Sequence, residues 1–117
     1  MEMVIMKKGT TQYTTVVHEK DVNFNAPHHY KVCRTEDTSV LCEIDFQEGP
    51  IKECGVNGVA NEDLINMCIE RLEGFQNSQF ACLENQKALE HLQEAIFWLR
   101  HRTNKREERG VEGTHTV

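Results

Sequence analysis

Residues 79–109 run without a single glycine or proline. That stretch constrains the fold more than any other feature. As a helix of about 30 residues it would extend roughly 45 Å, whereas a compact domain of about 100 residues has a radius of gyration near 13 Å. The spacing therefore predicts a helix that projects beyond its own domain. Its apolar seam is Ala81, Ala88, Leu92, Ala95 and Leu99, with Leu89 and Ile96 alongside. This is close to a heptad stripe, and its small residues permit near approach of another helix. A shorter helix precedes it. Glu62 and Asp63 follow the N-cap candidate Asn61, Leu64, Ile65, Cys68, Ile69 and Leu72 share one face, and Gly74 is expected to end the helix. Residues 75–78 form the connection, with Asn77 or Ser78 placed to cap the long helix. The shorter helix covers only part of the seam. The remainder is expected to bury against a second copy, most simply as two hairpins packed antiparallel. The competing arrangement is a long helix lying across its own sheet.

The first half reads as β. Residues 12–18 are rich in β-branched and aromatic types, and 21–27, with Asn23, Asn25 and Pro27, read as a loop or turn. Residues 30–34 alternate, with Tyr30, Val32 and Arg34 on one side. A polar connection over 35–39 leads to a strand over 40–46 with Val40, Cys42, Ile44 and Phe46 on one face. Three strands with short connections predict an antiparallel meander, whose apolar face needs cover. Residues 47–60 connect the halves. Asn57-Gly58 is a turn signal, and a further short strand fits 51–54. The fold class is α+β: an N-terminal antiparallel β meander followed by a C-terminal two-helix hairpin with one long helix. At 117 residues the chain suits one domain, 1–117. It divides into a β-sheet part over about 10–54, a helical hairpin over 61–109, and a tail over 110–117 that is expected to hang loose or fold against a partner.

The longest apolar run is the five residues 95–99, far short of the roughly 20 that span a membrane, and residues 1–6 are too short for a secretory signal. The net charge is −6, which argues against a nucleic-acid polymer as partner. Residues 100–109 nevertheless carry Arg100, Arg102, Lys105, Arg106 and Arg109 against two acidic residues. A short basic patch on an acidic protein points to one local anion, unless it only complements a helix C-terminus. The five cysteines, Cys33, Cys42, Cys54, Cys68 and Cys82, include no C-x-x-C pair. They are expected to be small buried or partly buried thiols in a cytosolic chain. No clustered Cys and His ligands mark a metal site, and His28–His29 would point to opposite faces of a strand. No nucleophile–base motif, P-loop or dinucleotide fingerprint occurs. The chain reads as a non-enzyme without metal or cofactor.

Continued in steps of three and four, the seam reads 81, 85, 88, 92, 95, 99, 102, 106. It meets the polar Asn85 near one end and finishes on Arg102 and Arg106, a fork of guanidiniums suited to phosphates. A polar amide in a packed seam needs a partner. Asn85 and Arg102 lie 17 positions apart, roughly 25 Å along one helix, so one chain cannot close both on a small ligand. In an antiparallel dimer Asn85 of one copy approaches Arg102 and Arg106 of the other, with Phe75 of the interhelical turn beside them. An aromatic face, an amide and two guanidiniums make a nucleotide pocket, stacking a base and donating to phosphates.

Residues 44–64 (Ile-Asp-Phe-Gln-Glu-Gly-Pro-Ile-Lys-Glu-Cys-Gly-Val-Asn-Gly-Val-Ala-Asn-Glu-Asp-Leu) carry a family resemblance. So do 71–82 (Arg-Leu-Glu-Gly-Phe-Gln-Asn-Ser-Gln-Phe-Ala-Cys), 98–103 (Trp-Leu-Arg-His-Arg-Thr) and 109–115 (Arg-Gly-Val-Glu-Gly-Thr-His). The sequence resembles the phage anti-Thoeris sponges of the first type, which share their helical-hairpin domain with the anti-CBASS sponges. The resemblance covers about residues 42–115. Leu83 departs from it, standing where many relatives carry a basic residue. The resemblance implies a phage protein in the cytoplasm of an infected bacterium that sequesters immune signals without cleaving them. Those signals are cyclic ADP-ribose isomers made by TIR-domain enzymes, in particular glycocyclic ADP-ribose. It implies homodimers that can assemble further into hexamers, and in some members a separate site for cyclic trinucleotides. By motif the signal pocket maps to Phe75, Asn85, Arg102 and Arg106. Two alternatives remain at this level: an enzyme degrading the same nucleotide, and a phage assembly or regulatory protein acting through its long helix.

Overall fold

The computed structural model describes residues 1–9 and 12–117. Positions 10 and 11, at the expected start of the β-sheet part, lie outside the described residues. The described chain forms two compact units, residues 1–59 and 60–117. The α+β class holds: a four-stranded sheet is followed by helices. The strands are β1 (Met3–Ile5), β2 (Thr14–Glu19), β3 (His29–Arg34) and β4 (Val40–Asp45), and the helices are α1 (Ile51–Cys54), α2 (Asn61–Gln76) and α3 (Leu83–Glu108). No helix among the described residues is long and apolar enough to cross a membrane.

The sheet is a meander in the order β1-β2-β3-β4, every neighbour antiparallel. Its first strand was not visible in the sequence. Three residues are too few to show a period, yet Met3–Ile5 pairs with Glu19, His18 and Val17. Val4, His18, Tyr30 and Ile44 lie in one cross-strand row, and Val16, Val32 and Cys42 in the next. They form the apolar face expected from the alternation. Tyr30 joins it to Phe46 edge-on at 5.6 Å. Burial there, with the Glu19 charge, pushes the Tyr30 phenol above its ordinary value. A register slip between Val32 and Cys33 pairs Val40 with Cys33. Val40 therefore leaves the row it was expected to share with Cys42 and Ile44. Between β2 and β3, Phe24 and Asn25 both take positive φ (49° and 74°) inside the Asn23–Ala26 bridge, the arrangement of a type I′ turn.

Glu19, 3% exposed, ends β2. Its carboxylate accepts from the amides of His28 (3.0 Å) and His29 (3.1 Å). The ring of His28 bonds the carbonyl of Asn23 at 2.7 Å. His29 lies between Asp45 (Nδ1–Oδ1 2.9 Å) and Glu48 (Nε2–Oε1 2.9 Å), with Glu19 4.0 Å away. The bond to Asp45, then that to Glu48, raises the His29 imidazole above its ordinary value of 6.5. The same His29 contact holds Glu48 below its ordinary 4.5. A raised imidazole stabilises the fold fully below about pH 6.5, and the effect is lost as pH rises through the folded value. A depressed carboxylate stabilises above about pH 4.5, and that is lost as pH falls through its folded value. The urea midpoint is therefore expected to fall between pH 6 and 8, and His29→Gln to flatten that slope. An unchanged slope in the variant refutes the assignment.

The segment over 47–59 departs from expectation twice. Residues 51–54 are a single helical turn, not a strand. Pro50 fixes its own φ at −64°, and its carbonyl accepts from the amides of Glu53 and Cys54. Positive-φ glycines on either side, Gly49 and Gly55, stop the turn from propagating. Asn57-Gly58 is not a hairpin turn either. Gly58 lets the backbone pass Phe46, since a Cβ there would stand 2.4 Å from the Phe46 carbonyl. A short parallel bridge, Phe46 to Val59, forms at this point. The Asn57 side chain accepts from the Glu48 amide and donates to the Glu48 carbonyl, each at 2.8 Å.

In the second unit α2 and α3 pack as a hairpin. Leu64, Ile65, Ile69 and Leu72 are half-buried, as are Leu92, Ala95, Ile96 and Leu99, and Leu89 is buried. The buried position is thus Leu89, beside the expected seam, while Ala81 and Ala88 stay exposed. The helix ends also differ from expectation. Ala60 occupies the N-cap of α2 and Asn61 is already helical. Capping falls to Asp63, whose Oδ2 accepts from the Ala60 amide at 2.8 Å. Gly74 does not stop α2, which continues to Gln76. Gln76 then bridges the turn, donating to the Cys82 carbonyl (3.1 Å) and accepting from the Cys82 amide (3.0 Å). Ser78 bonds within the turn, to the Phe75 carbonyl and Phe80 amide. Neither it nor Asn77 caps α3. The cap is Cys82, whose sulfur accepts from the Asn85 amide, so α3 starts at Leu83, four residues later than the pattern indicated. Its 26 residues span about 39 Å.

The thiols correct a further expectation. Cys33 is half-buried, but Cys42, Cys54, Cys68 and Cys82 are exposed. The described chain has little interior to hold them, with Leu89 its only buried hydrophobic residue.

Candidate functional site

The four residues singled out by the sequence fall at the two ends of the helical hairpin. Phe75 is the penultimate residue of α2 and has 41% of its surface exposed. The Arg71 guanidinium lies one turn earlier on the same face, 5.6 Å from the centre of the Phe75 ring, within cation–π reach. Together with Gly74, Ser78 and Phe80 they line an open cavity of about 320 Å³. That lies at the lower limit of the roughly 300–1,000 Å³ typical of small-molecule sites. Asn85 is half-buried in the first turn of α3, its backbone held by Cys82.

Arg102 and Arg106 lie on the last turns of α3. Arg102 is exposed. The Arg106 side chain is only 12% exposed. Its Nη2 donates to the carbonyls of Val111 and Thr114, each at 3.1 Å, and its Nε lies 3.6 Å from Glu112. None of these contacts uses Nη1. The tail therefore neither hangs loose nor waits for a partner to order it; residues 111–114 fold back onto α3. The reason is local. Gly110 takes φ 71°, its amide bonds the Glu107 carbonyl, and the Val111 amide bonds the Arg106 carbonyl. This is the double closure of a Schellman cap, and it reverses the chain onto the guanidinium. Arg109 adds a bond to the Val117 oxygen at 2.7 Å. The sequence placed the end of the glycine-free run at 109 and marked Arg106 as a cation; only the reversal at Gly110 brings the tail to that cation.

Asn85 and Arg102 remain about 25 Å apart along α3. A single hairpin thus presents an aromatic cavity with an amide at one end and guanidiniums at the other. It brings Phe75 and Asn85 to one end and Arg102 and Arg106 to the opposite one. Sequence reasoning missed Arg71 and Phe80, which border the same cavity as Phe75. The four-residue spacing of Arg71 and Phe75 on one helix was the available signal for the first. Among the described residues no group of three or more His, Cys, Asp or Glu side chains converges to hold a metal ion.

Residues 38–103 match the Acb2/Tad1 hairpin domain. Thoeris anti-defense 1 of Bacillus phage SBSphiJ7 is 45% identical, over 90% of this chain and 92% of that protein. The chain belongs to the phage anti-Thoeris family. The matched hairpin domain takes in β4, α1, α2 and α3 up to Thr103. It therefore includes Phe75, Asn85 and Arg102, whereas Arg106 and the tail it holds lie beyond the matched residues. For this anti-Thoeris protein the hairpin, with its opposed aromatic and cationic ends, is the candidate site.

Proposed function

We propose that this protein binds and sequesters a cyclic nucleotide immune signal, foremost glycocyclic ADP-ribose produced by TIR-domain enzymes, and leaves it intact. The setting is the cytoplasm of an infected bacterial host. The observation that carries the reading is the separation, on one hairpin of an anti-Thoeris family member, of an aromatic cavity from two guanidiniums. Nanomolar retention corresponds to about −12 kcal/mol and requires an enclosed pocket. A single chain offers an open one. Two copies packed antiparallel bring Phe75 and Asn85 of one against Arg102 and Arg106 of the other. The base stacks on Phe75, Asn85 bonds a ribose or phosphate edge, and the guanidiniums hold the pyrophosphate. Two-fold symmetry makes two such pockets. Support for a partner copy also comes from the outer face of α3, where Phe97 and Trp98 are 60% and 58% exposed and pack edge-on at 5.2 Å, an apolar patch of the kind that interfaces cover. Further assembly into hexamers and a second site for cyclic oligonucleotides belong to the same proposal.

Degradation of the signal is the second reading. His29 could be asked to serve as its general base, but both ring nitrogens already lie 2.9 Å from carboxylates, Asp45 and Glu48, so neither is directed at a substrate proton. The test incubates glycocyclic ADP-ribose with excess protein, denatures by heat and analyses the supernatant by chromatography. Sequestration returns the nucleotide intact and in full; a hydrolysis product overturns the proposal. A protein acting through its long helix alone would show no thermal shift with the nucleotide.

A further inference from the structure

Gly74 is helical, with no positive φ. An added Cβ there would meet nothing within 4 Å. Backbone and packing would thus both accept alanine, which is the better helix former. The chain instead keeps a helix-weakening residue in α2, directly on the cavity that Arg71, Phe75 and Phe80 line. Phe80, 65% exposed, gives that cavity a second aromatic wall on the far side of the turn. The Arg71 guanidinium beside Phe75 has no carboxylate or carbonyl partner among the described residues. Aromatic walls with an unpaired planar cation fit a flat heteroaromatic ring whose edge carries acceptor nitrogens.

We propose that Gly74, Phe80 and Arg71 complete with Phe75 a slot for a nucleobase, Gly74 leaving the slot open and Arg71 bonding the acceptor edge of the base. The choice of ligand rests on the sequestration reading above; the slot itself rests on the cavity. In the full-length protein, Gly74→Ala is expected to raise Tm by about 4–8 °C and to weaken glycocyclic ADP-ribose binding about tenfold or more by calorimetry. Arg71→Ala is expected to weaken binding without raising Tm. A Gly74→Ala variant with higher Tm and unchanged affinity overturns the slot and leaves sequestration standing. A lower Tm assigns the glycine to folding and also overturns it. If the unsubstituted protein binds no glycocyclic ADP-ribose, the Gly74 amide resonance is followed during titration with adenosine monophosphate. A shift that Arg71→Ala abolishes keeps the slot and sinks the sequestration reading, and no shift sinks both.

Discussion

Replacing Arg102 and Arg106 together by alanine is expected to weaken glycocyclic ADP-ribose binding by about 10²–10⁴-fold. Hydrogen bonds to charged groups contribute roughly 1.5–3 kcal/mol each, and each 1.4 kcal/mol is about a tenfold change. The two residues separate experimentally. Arg102 is exposed, so Arg102→Ala should lower affinity without touching the fold. Arg106 also binds the carbonyls of Val111 and Thr114, so Arg106→Ala should in addition release the tail, read as faster amide exchange over 111–114. The composite pocket predicts complementation. Phe75→Ala chains and Arg102→Ala/Arg106→Ala chains each form crippled sites. A mixture that exchanges subunits should regain about one quarter of the sites, because half the dimers are mixed and each mixed dimer has one whole pocket. Unchanged affinity in the double variant rejects the residue assignment. No recovery on mixing, with exchange demonstrated, rejects the antiparallel pairing.

The second large effect is on stability. Glu19→Ala is expected to cost roughly 2–6 kcal/mol, since it strips the acceptor from two backbone amides, His28 and His29, at about 1–3 kcal/mol for each donor left unsatisfied. Against a total of about 5–15 kcal/mol this puts the sheet unit near unfolding. The check is the urea midpoint of the full-length protein, with Glu19→Gln as the companion. The amide retains one acceptor oxygen and should recover part of the loss. Equal stability of Glu19→Ala and the unsubstituted chain would show that water satisfies those amides.

How far these residues were legible in the sequence varies with the range of the interactions involved. The meander of β2, β3 and β4 follows from alternation and turn chemistry, both local. The strand Met3–Ile5 does not, because its pairing with Val17–Glu19 supplies the order that three residues cannot supply alone. Glu19 reads as one more surface acid until the chain returns at His28 and presents two amides to it. Gly74 reads as a stop and is none, since a glycine ends a helix only where the following turn takes over its carbonyls. Here Gln76 and Ser78 make that turn two residues later. The site divides in the same way. Asn85, Arg102 and Arg106 were singled out by following one helical stripe, and Phe75 as the aromatic of the interhelical connection beside it. Arg71 and Phe80 lie on the other arm and on the turn, and became visible only around a shared cavity.

By itself the sequence determined the α+β class, the long uninterrupted helix and the distance between its amide and its guanidiniums. Those follow from backbone propensity and a fixed rise per residue, which no distant contact needs to support. Only the tertiary structure decided where the helices begin and end, that Arg106 clasps a reversed tail, and that four exposed thiols find no interior. The helix ends and the tail turn on cap and side-chain hydrogen bonds whose geometry no periodicity shows, and the exposure of the thiols on how little surface the fold buries. Hydrogen-bond satisfaction and burial are properties of the folded arrangement rather than of a residue pattern.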